Sequence, residues 1–175
     1  MKNSFRNLKA KVTTSKQEFI GLQKTLEFTQ TNHGNIDQVF PLLCPVREAD
    51  WLDGWEYKMI HSKSGLIEQD CVFSTPHHGK FETIWQVTQY DKEHYHIEFV
   101  RLTPKENIVK INIKLKEIDT KTTQADISYQ YTALNPEQNE FIKNELEQSF
   151  KQSMNWWEKA INHYLATNKM LLANN

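Results

Sequence analysis

Apolar residues change period along this chain, from alternation through the middle to helical spacing at the end. Ile142, Leu146, Phe150, Met154, Trp157, Ile161 and Leu165 recur at steps of three or four, which keeps them on one face of a helix. The spacing predicts one long helix over 135–167. Asn135 is a good N-cap, Pro136 suits the first helical position, and Gln138 stands where a capping-box partner reaches back. Upstream, Val109, Ile111, Ile113 and Leu115 alternate with Lys110, Asn112, Lys114 and Lys116, and Ala125, Ile127, Tyr129 and Tyr131 alternate in the same way. One face of that sheet is covered and the other is wet.

The same reading gives a first strand over 18–29, with Leu22, Leu26 and Phe28 on its apolar side. Thr31-Asn32-His33-Gly34 reads as a turn, and Asn35 with Gln38 offers a second capping box. Pro41 and Pro45 prevent one continuous helix, so two short helices are expected, the second beginning at Pro45 and carrying Arg47, Glu48 and Trp51. Asp53-Gly54 turns the chain. Strands follow over 55–61, 70–75, 80–89, 95–102, 108–117 and 124–132, with hairpin-sized spacers that favour antiparallel pairing. The order is α+β: a strand, two short helices, six strands and a long helix. A six- to seven-stranded antiparallel sheet with one apolar face must curl around whatever covers it, and the terminal helix is the only element long enough.

Composition narrows the partners. At 175 residues the chain suits one domain, placed at 18–170 behind a basic tail over 1–17 that carries Lys2, Arg6, Lys9, Lys11 and Lys16. A formal net charge of −1 supplies no field for nucleic acid. No apolar run approaches a membrane span, so no integral membrane contact is expected. Cys44 and Cys71 stand apart without ligand spacing, which fits two thiols in a reducing cytoplasm. Monomer and homodimer both remain open.

Little in the sequence assembles a reaction centre. His94, His96 and Glu98 share one strand face, but the outer pair would stand about 13 Å apart, too far to share a metal. His77 and His78 fall in a hairpin loop, and Ser62 and Ser64 lack the context of a nucleophile elbow. No catalytic residue, metal ligand or cofactor is assigned. The expected site is the covered face itself. If Ile113 and Tyr129 point at the helix, alternation puts Tyr57, Met59, Trp85 and Phe99 beside them, opposed by Phe150, Met154 and Trp157. Arg101 continues the Phe99 face, either entering a cavity or serving as a structural ion pair or solvated strand end. Trp51 and Trp55 are read as anchors of the short helices, and Trp156, off the main stripe, as a contact for another subunit.

The element order, with the string Cys44-Pro45-Val46-Arg47-Glu48-Ala49-Asp50-Trp51-Leu52-Asp53-Gly54-Trp55 and the later Thr83-Ile84-Trp85 and Tyr90-Asp91, resembles the helix-grip fold of the START and plant pathogenesis-related superfamily, often called SRPBCC. The match spans 18–167. It implies a deep cavity between sheet and terminal helix that takes lipids, sterols, polyketides or other hydrophobic molecules. Some relatives are cyclases and some are chaperone cofactors. The plant-type members carry a glycine-rich loop where this chain has Ser64-Gly65-Leu66-Ile67-Glu68, with one glycine, so a plant-like ligand class does not follow. Three readings result: binding of a small hydrophobic molecule, a cyclase or aromatase using the same cavity, and a protein-interaction module with a filled core.

Overall fold

The alternating runs pair as their periods require. In the computed structural model, which describes residues 18–77 and 81–173, β6 (Asn107–Asp119) lies antiparallel to β7 (Thr122–Ala133), with Ile113 opposite Ile127 and Ile111 opposite Tyr129. The basic segment 1–17 and His78 lie outside the described residues. The other strands are β1 (Gln23–Asn32), β2 (Lys58–His61), β3 (Val72–His77), β4 (Phe81–Asp91) and β5 (His96–Thr103). Together they form one seven-stranded sheet in the order β1-β7-β6-β5-β4-β3-β2. Strands β2 to β7 run as a meander whose last strand closes on β1. The first strand starts and ends later than its pattern predicts, so Thr31 and Asn32 belong to the strand instead of the turn.

Between β1 and β2 lie α1 (Ile36–Val39), a 3-10 turn over Phe40–Leu43 and α2 (Pro45–Glu48). The capping box at Asn35 and Gln38 forms in both directions, and each proline takes an early helical position where its missing N–H leaves nothing unsatisfied.

The predicted single helix is two. α3 (Pro136–Asn144) begins at the Asn135 cap, and α4 (Leu146–Thr167) continues after Glu145, whose φ of −125° interrupts the helical path. No glycine or proline marks the break. Its cause is docking: Asn139 accepts from the Leu22 amide at 2.6 Å and donates to the Ile20 carbonyl at 3.0 Å, while Gln138 accepts from Asn107 at 3.1 Å. These bonds hold α3 to the starts of β1 and β6. α4 instead runs over the sheet's apolar face, so the two helices take different directions.

α4 is fastened most firmly near its C-terminal end. Asn162 accepts from the His33 amide and donates to the Thr31 carbonyl, both at 2.8 Å, and Glu158 accepts from the Thr31 amide at 2.8 Å. Beneath it Ala160 and Ile161 are fully buried. Asn168, in a left-handed conformation at φ 54°, ends the helix and turns the chain back toward the short helices, where Leu171 bridges Leu52. Among the described residues no helix is long and apolar enough to cross a membrane.

Candidate functional site

Between the sheet and the N-terminal part of α4 lies a cavity of ≈ 540 Å³. That lies within the range of small-molecule sites, about 300–1,000 Å³. Trp85, Phe99, Arg101, Ile113 and Tyr129 line it from the sheet, and Phe150, Met154 and Trp157 line it from α4. Tyr57 and Met59, expected beside them, do not. The edge strand β2 starts only at Lys58, and the Met59 sulfur packs on Cys71 at 3.6 Å, away from the open space.

Rings make most of the wall. Phe73 stacks on Trp85 at 5.5 Å between centroids, and Phe99 meets both edge-on at 6.5 and 6.1 Å. Tyr129 packs against Phe150 of α4 at 5.3 Å. The expected anchor tryptophans do more than hold the short helices. Trp51 donates to the Leu42 carbonyl at 3.1 Å and meets Trp157 edge-on, while Trp55 donates to the Pro45 carbonyl at 2.9 Å and turns its ring to Trp85 and the cavity.

Polar groups enter this apolar chamber at a few points. Glu48, at the end of α2, faces it. Burial pushes its carboxyl up to about 8, partly held back by a hydrogen bond with Trp157. Among the described residues Arg101 has no ion-pair partner; it is partly buried and hydrogen-bonds the Tyr131 hydroxyl. Its guanidinium carbon lies 5.3 Å from the Trp85 ring centre and 5.8 Å from that of Tyr131. Burial pushes the Tyr131 hydroxyl up, and the neighbouring guanidinium opposes this. Tyr129 is likewise pushed up, chiefly by burial; Tyr131 and Glu48 add to the shift and Arg101 opposes it. Further along the wall Thr83 and Thr103 share a hydrogen bond at 3.0 Å, and His77 meets Glu106 at 2.9 Å.

Sequence reasoning left Glu48, Tyr131, Thr103 and Ser153 out of the site. Alternation carried the signal for two of them, because Tyr131 stands two residues beyond Tyr129 and Thr103 two beyond Arg101. Ser153 precedes Met154 on the same side of α4. Glu48 gave no such signal, since its placement depends on how α2 lies over the mouth.

The other candidates resolve elsewhere. His77 ends β3 on the cavity wall. His94 bonds Asp91 at 2.7 Å in the turn before β5, while His96 and Glu98 meet Asn112 on the outer face of the sheet. Among the described residues no group of three His, Cys, Asp or Glu side chains could hold a metal. Ser62 and Ser64 are engaged by Glu68 in their own turn. Cys44 and Cys71 are buried, and burial pushes the Cys71 thiol up, away from the reactive thiolate. Trp156 is partly buried against the core.

No protein-family model matches the sequence, and no curated protein matches it at a significant level. Solved structures do match in shape. The chain is similar to norcoclaurine synthase from Thalictrum flavum in complex with dopamine and hydroxybenzaldehyde (TM-score 0.63, 13% identity, covering 85% of this chain and 90% of that one). It is also similar to the Zhui aromatase/cyclase from Streptomyces sp. R1128 (TM-score 0.61, 13% identity, 86% and 100%) and to Ara h 8.0201 (TM-score 0.57, 14% identity, 83% and 99%). A seven-stranded antiparallel sheet folded over a long C-terminal helix, with short helices after its first strand, is the helix-grip fold, and this chain shares it with these structures.

Proposed function

We propose that the protein binds or carries a small, largely apolar molecule, a lipid, polyketide or aromatic compound, between its sheet and α4. The observation that carries this reading is the ≈ 540 Å³ cavity walled by aromatic rings. Affinity comes mainly from apolar burial, about 25 cal/mol per Å². Its ligand-contacting residues are Trp85, Phe99, Arg101, Ile113, Tyr129, Phe150, Met154 and Trp157. Among the solved structures of this shape, one is described with small aromatic compounds bound and another is an aromatase/cyclase. The open cavity favours a bound molecule over an interaction module, which called for a filled core. Two separate buried thiols and a net charge of −1 support a cytoplasmic protein without nucleic-acid partners.

Native mass spectrometry of the purified protein, followed by solvent extraction, tests the proposal. A reproducible excess mass that extracts as an apolar compound supports it. A clean apo mass, with no uptake of environment-sensitive apolar dyes, sinks it.

One observation favours a second reading. Glu48 can hold or release a proton near neutral pH, and it shares the chamber with Arg101, Tyr129 and Tyr131. A cyclase-type enzyme would use them to orient and protonate a polyketide-like substrate. Incubation with a linear poly-β-ketone separates the readings: a carrier leaves the protein-free mixture of spontaneous products unaltered, whereas an enzyme enriches one ring product, an enrichment that Glu48→Gln loses.

A further inference from the structure

Among the described residues Arg101 is the one arginine or lysine on the cavity wall, and no carboxylate lies within ion-pair distance of it. Both acids on that wall have other partners: Glu48 bonds Trp157, and Glu106 meets His77. The guanidinium instead lies 5.3 Å from the Trp85 ring centre and 5.8 Å from that of Tyr131 and hydrogen-bonds the Tyr131 hydroxyl, while its Nε is buried without an acceptor. A shielded cation with an orphaned donor is unfavourable unless an acceptor arrives to meet it. A planar guanidinium fork suits an oxyanion with two oxygens.

We propose that the ligand is an amphipathic acid, with a planar apolar body on the Trp85, Phe99 and Tyr129 rings and one oxyanion, such as a carboxylate, seated on Arg101 beside the Tyr131 hydroxyl. This rests on the reading of the cavity as a ligand site. The second polar point sets the ligand's direction. Tyr129 shares the wall with both Arg101 and Glu48. A Glu48 carboxyl can donate to a neutral oxygen when protonated and repels an anion when ionised. The acidic group therefore turns to Arg101 and a carbonyl or hydroxyl to Glu48.

Two dyes with one ring body test this: anilinonaphthalene sulfonate, which is anionic, and phenylnaphthylamine, which lacks the sulfonate. Fluorescence titration gives the affinity ratio of the two. Arg101→Met is expected to lower the sulfonate-to-neutral ratio by about ten- to a hundredfold, the usual worth of hydrogen bonds to a charged group. Arg101→Lys keeps the charge, loses the fork and lowers the ratio by a smaller factor. Binding of the neutral dye by either variant shows that the cavity still forms. An unchanged ratio in both, or a parallel loss of both dyes in both variants, overturns the proposal and assigns Arg101 to packing. If the wild-type protein binds neither dye, the cavity reading fails and the acid assignment falls with it.

Discussion

The two ends of α4 do different work. Near its C-terminal end the helix is bolted to the sheet, with Asn162 and Glu158 bonded to the main chain at Thr31 and His33 and with Ile161 sealed beneath it. Toward its N-terminal end Phe150, Met154 and Trp157 look onto open space. One apolar stripe runs through both. The difference comes from what faces the stripe: strand ends and small residues such as Ala125 close one end, while strands carrying rings leave the other hollow. This chain thus has its tight packing and main-chain bonds at one end of α4 and its open cavity at the other.

The largest effect that would break this comparison is on stability. Ile161→Ala should destabilise the protein by about 2–5 kcal/mol, because it opens a void in packed surroundings. Met154→Ala should lose only about 1–2 kcal/mol, since it enlarges space already present and forfeits little beyond the transfer term. Urea unfolding measures both, and equal losses would show that the two ends are packed alike.

Glu48 sharpens the contrast through pH. Unfolded, a glutamate titrates at about 4.3; folded, Glu48 titrates at about 8. The native state holds the extra proton between those values, so the stability associated with this group is greatest at low pH and is lost as pH rises through that window. Glu48→Gln should remove that slope and raise stability at pH 8 by about 1–3 kcal/mol, a range discounted for water in the cavity. Melting temperatures of both proteins from pH 5 to 9 would show it, and parallel curves would mean that the carboxyl is well solvated.

At the bolted end, Asn162→Ala removes two main-chain hydrogen bonds and should lose about 1–2 kcal/mol without changing dye uptake by the cavity. A large loss of dye affinity would show that the closed end controls the open one. The smallest effect belongs to the ion pair between Lys24 and Glu147, at 3.0 Å and largely solvated. Lys24→Ala should shift stability by about 0.5 kcal/mol or less, and the shift should shrink further in high salt.

Periodicity carried much of this architecture. The alternation of β6 and β7 set which side chains faced α4, and it brought Trp85, Phe99, Ile113 and Tyr129 to one wall. It failed for Tyr57 and Met59 because alternation identifies a face but not how far along the sheet the open space extends. The break at Glu145 was likewise illegible: residues 144 and 145 carry no breaker, and the interruption follows from Asn139 and Gln138 holding α3 to other strands. Docking overrides local helix preference there.

The sequence by itself determined the order of elements, the covered face of each strand and the cap positions, because these depend on local geometry and on a side-chain period that any neighbour must respect. Only the tertiary structure decided that the space under α4 stays open, that Glu48 swings over it and that Arg101 ends beside two rings without a carboxylate. Cavity volume and the environment of a charge arise where residues from distant strands and helices converge, and those distances are written in no single stretch of the chain.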